Sequence, residues 1–408
     1  MEKERSEKEE GRGTERERER EREMAGLGWF DWILGLLRVA FDTITQRVKA
    51  VHLPRQLPLI PLSHLTCIIT GATSGIGLET ARHLAKSGAH VVLAVRNVKA
   101  AKNLLEEWQS GQEDGSSPLN VEVMEVDLLS LDSVRKFGEA WEARKIPLNV
   151  LINNAGIFCM NGAQKLSKDG LEQHMQVNHL ASALLTILLL PSLLRGSPSR
   201  VVVVNSMMHH LGFVDPEDLQ GGKRIYNCTS GYSDSKLAQI LFCHMLQKRL
   251  PIEAGVDIIL VNPGEVKTNV ARDLPKIIQM GYHSLFILFT PTEGARSVLF
   301  CAADKKVQEY ARALRGLGYP LVPYFGSDCK PASVAHQAHD MEKAQLVWQQ
   351  TLKLVDLPLD CIELVLSEND PVEVIENFKV IDSYPEDENE GALDFLMNDE
   401  DDAVTEIF

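Results

Sequence analysis

Long hydrophobic runs are scarce in this chain. The most apolar stretch near the start, Trp29 to Val51, is broken by Asp31 and Arg38. That is too early for the roughly 20 mostly apolar residues a membrane-spanning helix requires. Met1 to Glu23 is almost entirely Glu, Arg and Lys; it lacks the apolar segment of a secretory signal and is too acidic for an organelle transit peptide. No Cys-x-x-Cys pair occurs, and the seven cysteines are scattered and odd in number. This excludes a disulfide framework and a thiolate metal site, and suits reduced residues of a cytosol-facing protein. Positive charge is also short: the net charge is −15, and Ile381 to Phe408 holds no Lys or Arg. Nucleic acid is excluded as a partner.

What is present is a chain of 408 residues, 44% hydrophobic, long enough to bury a full core. Its centre of organisation is Thr70-Gly71-Ala72-Thr73-Ser74-Gly75-Ile76-Gly77, preceded by the apolar run Leu65 to Ile69 and followed by helical periodicity over Leu78 to Gly88. A strand, a glycine turn and a helix in that order form a dinucleotide site. Gly71 permits the tight turn, Gly75 lets backbone N–H groups approach a pyrophosphate, and Gly77 lets the helix pack close to the sheet. Further strands are expected at His90 to Val95, Val121 to Val126, Asn149 to Asn153, Arg200 to Asn205 and Asp257 to Asn262. Helices are expected at Ala100 to Gln109, Leu131 to Ala143, Gly170 to Leu194 and Tyr232 to Leu250, with a loop at Asp114 to Pro118. This alternation predicts an α/β fold, a doubly wound parallel sheet of Rossmann type, in one domain over residues 65–368. Residues 1–24 and the acidic tail 369–408 read as disordered, the tail with scattered apolar residues that suit a protein partner. Pro54, Pro58 and Pro61 stiffen a linker over residues 52–64.

Residues 25–51 predict an amphipathic helix. Asp31, Gly35, Arg38, Asp42, Thr45, Gln46 and Lys49 recur at steps of three and four, forming a narrow polar stripe opposite a wide aromatic and aliphatic face. The favoured reading is a helix lying in a membrane interface, with Trp29 and Trp32 at headgroup level and Arg38, Arg47 and Lys49 snorkelling. A helix packed on the domain and a true span are the alternatives.

Gly231-Tyr232-Ser233-Asp234-Ser235-Lys236 places a Tyr and a Lys four apart, one above the other on a helix. A free phenol, with pKa ~10, is a poor proton carrier near neutrality. An ammonium nearby favours the phenolate and lowers that value. Such a pair can pass a proton to or from a carbonyl oxygen, and general acid–base help is worth roughly 10² to 10⁴ in rate. With the glycine turn, Asn153-Asn154-Ala155-Gly156, Asn205-Ser206 and Pro263-Gly264-x-Val266-x-Thr268, in this order and spacing, the chain resembles the short-chain dehydrogenase/reductase superfamily. Asp169-Gly170-Leu171-Glu172, Val177-Asn178-His179-Leu180, Tyr232 to Ala238 and Thr292-Glu293-Gly294-Ala295 look like its retinol-dehydrogenase-like branch.

The resemblance implies Tyr232 as acid/base, Lys236 as the group that lowers its pKa and holds the nicotinamide ribose, and Ser206 as the orienter of the substrate carbonyl. It implies that Asn178 holds a water linking Lys236 to solvent. Thr70, Gly71, Thr73, Ser74, Gly75, Ile76 and Gly77 would cradle the cofactor. Asp127, with Leu128, would take the adenine amine; Asn154, Ala155 and Gly156 would line the ribose side. Pro263, Gly264, Val266 and Thr268 would face the nicotinamide. Asn205 departs from the family, which usually has a Ser there. An NAD site wants a carboxylate after the second strand, but here stands Val95-Arg96-Asn97, and a guanidinium suits the 2′-phosphate of NADP. NADP is therefore favoured over NAD. No metal is implied; His209 and His210 read as loop polar groups, with no third ligand near in sequence. Leu211 to Ser230 would lie over the site. Ile277 to Thr290, apolar and just beyond the nicotinamide loop, reads as a lid for a lipophilic substrate or as ordinary core closure. The two functional readings are a membrane-associated, cytosol-facing oxidoreductase acting on a lipophilic alcohol or carbonyl, and a regulatory or scaffold protein that binds a nicotinamide nucleotide without turnover. Keeping Asn178, Ser206, Tyr232 and Lys236 together favours the enzyme.

Overall fold

Strands that are apolar at every position need cover on both faces, and this chain supplies it with helices. A computed structural model describes residues 28–110, 118–159, 164–222, 227–267, 287–317 and 322–367. Seven parallel strands lie in the order β3-β2-β1-β4-β5-β6-β7. They are β1 (Thr66–Thr70), β2 (His90–Val95), β3 (Val121–Glu125), β4 (Val150–Asn153), β5 (Ser199–Val204), β6 (Val256–Val261) and β7 (Tyr324–Phe325). Successive strand residues alternate faces. Ile68, Val92, Leu151, Val201 and Ile258 enter one core, while Cys67, Ile69, Leu93, Ile152, Val202 and Ile259 enter the other.

In chain order the helices are α1 (Trp29–Lys49), α2 (Gly75–Lys86), α3 (Val98–Ser110), α4 (Leu131–Glu142), α5 (Ala181–Leu188), α6 (Leu190–Arg195), α7 (Cys228–Arg249), α8 (Pro291–Ala303), α9 (Lys305–Gly316), α10 (Met341–Leu354) and α11 (Cys361–Ser367). The expected doubly wound sheet is thus present, and the six expected strands agree with the sequence reading to a residue; the short edge strand β7 is an addition to it. Two helices differ from it. The long helix expected over Gly170 to Leu194 opens as a π-helical turn, Met175–Leu180, continues as α5 and breaks at Leu189. Pro191, which has no N–H to donate and disfavours a helical residue before it, starts α6 afresh. Helix α7 begins a turn before Tyr232, because the Asn227 side chain accepts from Ser230 N and caps it there. Residues 1–24, the tail 369–408, Thr268 and most of Ile277 to Thr290 lie outside the described residues, as does most of the Asp114–Pro118 loop.

Helix α1 inverts the usual arrangement of an amphipathic helix. Its inward stripe is Gly35, Asp42, Thr43 and Gln46, with Gly35 and Gln46 buried. Its large residues face outward: Trp29 is 76% exposed, Leu37 61%, Phe41 58% and Val48 73%. Polar and small groups dock it. A Cβ on Gly35 would come within 2.5 Å of His210 O, so backbone approaches backbone there. Arg38 donates to Ser333 Oγ at 3.3 Å and Arg47 pairs with Glu293 at 3.2 Å, while Asp42 pairs with Arg38 and Lys49 within the helix. No described helix is long and apolar enough to cross a membrane.

Candidate active site

Strand order reverses between β1 and β4, and there the carboxyl ends of the two strands open a crevice. The Thr70 hydroxyl ties them together, accepting from Asn154 N and Ala155 N, each at 3.0 Å. Asn154 Nδ2 returns to Thr70 O at 2.8 Å. Gly71 has φ +67°, a conformation that L side chains resist. A Cβ on Gly77 would lie 2.3 Å from Asn154 Nδ2 and 2.6 Å from Gly71 O, so α2 meets the strand ends with nothing between. Helix α2 starts at Gly75, and the side chain of its N-cap, Ser74, makes no cap hydrogen bond. The first-turn N–H groups of α2 are thereby left to an anion, as a pyrophosphate requires. The cradle fits a dinucleotide. Thr73 and Ile76 belong to the same turn, and Ile76 touches the far wall through Gly294.

The second cluster lies along α7. Lys236 is buried, and its Nζ donates to Val204 O at 2.9 Å and to Gln239 Oε1 at 3.2 Å. Burial pulls the Lys236 ammonium down to about 7 from its ordinary 10.5. Its Nζ stands 5.8 Å from the Tyr232 ring centre. A Cβ on Gly156 would be 3.3 Å from Asn178 Oδ1 and 3.8 Å from Lys236 Nζ, so the β4 turn, the π-helical turn and α7 meet at one point. Asn178 accepts from Ile157 N at 2.8 Å through Oδ1 and donates to Ser235 Oγ at 2.9 Å. Ser206, just past β5, caps the short 3₁₀ turn Met207–Leu211 by accepting from Met208 N. That turn packs on α7: a Cβ on Gly212 would lie 2.6 Å from Ser233 O.

Gln239 was not singled out from sequence. Its Oε1 takes Lys236 Nζ and Asn205 Nδ2, and its Nε2 donates to Asn178 O. A protein amide therefore joins Lys236 to the Asn178 carbonyl. Asn205, the family departure, is held by that same amide and by Lys236 O. The available signal was spacing, since Gln239 is one turn beyond Lys236 on the same face. Phe158 and His174 were missed too. The Phe158 ring stacks on Tyr232 at 4.5 Å, and the His174 ring stands edge-on to it at 6.5 Å. His174 accepts from Cys159 N and pairs with Glu172 at 2.8 Å. Nothing local in the sequence announces contacts made across 74 positions.

The remaining expected residues fall around the crevice. Arg96 is exposed at the end of β2, and Asn97 beside it caps α3 through Ala100 N. Asp127 is half-buried after β3, bonded through Ser133 and Leu129, with Leu128 buried next to it. Pro263, Gly264 and Val266 follow β6, and Val266 touches Gly294 of α8. His209, in the turn after Ser206, is buried. Its ring nitrogens meet Ser206 O at 2.7 Å and Ala335 N at 3.1 Å, and burial lowers its pKa well below the ordinary value.

A nucleotide cradle at a parallel-sheet switch point, with a buried lysine and a tyrosine beside it, defines a class: α/β oxidoreductases that use a nicotinamide dinucleotide. Residues 65–277 match the short chain dehydrogenase family, and the chain belongs to the short-chain dehydrogenase/reductase family. It is 54% identical over 347 residues to the dehydrogenase/reductase SDR family member FEY of Arabidopsis thaliana, covering 84% of this chain and 92% of that one. It is 38% identical over 293 residues to human retinol dehydrogenase 11, covering 72% and 86%. Among solved structures, an uncharacterised protein from Mycobacterium paratuberculosis is similar at 32% identity and a TM-score of 0.56, covering 73% of this chain and 95% of that one. The chain is an NAD(P)-dependent oxidoreductase of that family.

Proposed function

We propose that the protein interconverts a lipophilic alcohol and its carbonyl compound at a membrane surface, with NADP as its nucleotide. The observation that carries this is the convergence of Gly156, Asn178 and Lys236 beside Tyr232, one strand away from the glycine cradle. When bound, the nicotinamide supplies or takes the hydride. Tyr232 holds the proton that goes to or comes from the substrate oxygen. Lys236, cationic at that moment, stabilises the phenolate and holds the ribose hydroxyls. Ser206 donates to the substrate oxygen and orients it. Gln239 holds Lys236 by accepting from its Nζ, and is itself anchored by donating to Asn178 O. Thr70 to Gly77, Asp127, Leu128, Asn154, Ala155, Gly156, Pro263, Gly264, Val266 and Thr268 bind the nucleotide.

Arg96 at the end of β2 supports NADP, since no carboxylate stands there to accept from a ribose 2′-OH. The apolar wall that Phe158 lays against Tyr232 supports a lipophilic substrate. So does α1, whose aromatic and aliphatic face points outward while its inner face rests on the turn that follows Ser206. An exposed patch of this size costs free energy in water and is relieved in a lipid interface, where its tryptophans are also favoured.

The test is titration of the purified full chain with NADPH and NADH, then turnover with a panel of apolar aldehydes and ketones. Preferential NADPH binding is expected, with turnover that Tyr232→Phe abolishes while cofactor binding persists. Undiminished activity in Tyr232→Phe overturns the acid/base assignment. Tight binding without turnover on any of the panel favours the regulatory reading.

A further inference from the structure

The polar stripe of α1 does more than attach a helix. Gln46 is 2% exposed, and its amide is used on two backbone segments. Oε1 accepts from Glu265 N at 2.8 Å, and Nε2 donates to Glu265 O at 3.2 Å and to Ile287 O at 2.8 Å. The approach is close: Gly264 has φ +82°, and a Cβ there would sit 2.6 Å from Gln46 Oε1. Beside it the two backbone segments pair, with Lys267 N donating to Phe289 O at 2.8 Å and Phe289 N to Glu265 O at 2.9 Å. Arg47 adds a bond to Leu288 O and a pair with Glu293. Val266, next to Glu265, packs through Gly294 against Ile76 of the glycine turn. A continuous path of contacts therefore runs from α1 through Pro263–Val266 to the cradle.

A helix whose aromatic residues and leucines all face outward gains little from hydrophobic docking. Its seat depends on these buried polar bonds, so the bonds fix the loop as much as they fix the helix. We propose that Gln46 is a positioning residue for the nicotinamide half of the cofactor: it holds the Pro263–Val266 loop in place from outside the family domain. This rests on the reading above that the loop faces the nicotinamide. Gln46 is then part of the binding machinery, while the outward residues of the same helix form an apolar surface.

The test compares two ligands on the full chain by calorimetry: NADPH, and adenosine 2′,5′-bisphosphate, which lacks the nicotinamide half. Gln46→Met keeps the side-chain length and removes the three hydrogen bonds. It is expected to weaken NADPH about tenfold while leaving the bisphosphate unchanged. Gln46→Glu keeps the acceptor for Glu265 N but turns a carboxylate onto two carbonyls, and is expected to weaken NADPH at least as much. Thr43→Val, on the same docked stripe but bonded to Val39 O and against Met207, is the control and should leave both affinities alone. Equal loss for both ligands, no loss for either, or the same loss in Thr43→Val overturns the assignment. Wild-type protein that binds the bisphosphate but gains nothing from NADPH overturns the loop's role instead, independently of Gln46.

Discussion

Acid should unfold this protein through its buried histidines, and His179 allows that to be measured. His179 is 1% exposed at the end of the π-helical turn, with Nε2 against Thr351 Oγ1 at 2.8 Å and its ring edge-on to Phe242. Burial lowers its pKa to about 3, and that of the buried His244 to about 3 as well, from an ordinary 6.5. The native state thus refuses a proton that the unfolded chain accepts below 6.5. Stability rises with pH wherever the unfolded state binds more protons, so this contribution is complete above 6.5 and is lost as pH falls, until about 3. At about pH 5 each such histidine costs about 2 kcal/mol, and two cost about 4, a large share of the roughly 5–15 kcal/mol of a typical domain. Denaturant unfolding at a series of pH values from about 7.5 to about 5 gives the slope of stability against pH. His179→Gln keeps a partner for Thr351 and removes the titration. Its slope near pH 5 should fall by about 1.4 kcal/mol per pH unit, whatever happens to its stability at neutral pH. An unchanged slope would refute the claim that His179 stays neutral in the fold.

Three further outcomes are expected. Gly77→Ala puts a methyl into Asn154 and the Gly71 carbonyl; it should abolish nucleotide binding or destabilise the fold by about 2 kcal/mol or more, read by titration and by thermal unfolding. Arg96→Asp should weaken NADPH at least tenfold and leave NADH equal or better, roughly the worth of charge-assisted bonds to one phosphate; an unchanged preference would place the 2′-phosphate elsewhere. Replacing Trp29, Trp32, Leu37 and Phe41 together by Ser should abolish cosedimentation with phospholipid vesicles without altering NADPH affinity, since all four side chains point away from the domain. Retained vesicle binding would put the membrane contact on another surface.

The primary structure alone determined six of the seven strands and the motifs of the candidate site. Parallel strands buried on both faces must be short and apolar throughout, so Cys67 to Ile69 and Val201 to Val204 declare themselves without their neighbours. The glycine turn and the Tyr232–Lys236 pair are local devices whose spacing is their geometry. What sequence could not decide were contacts made at a distance. The Asn227 cap, the break at Pro191 and the π-helical turn around Asn178 moved helix ends by a turn or two. Gln239 between Lys236 and Asn178, and Phe158 against Tyr232, depend on which elements the fold brings face to face. Helix α1 shows this most directly. Its periodicity reveals a polar stripe and an apolar face, but periodicity does not say which of them meets the protein. That was decided by the backbone groups Glu265 N and Ile287 O, which find partners in the Gln46 amide and so leave the tryptophans outward.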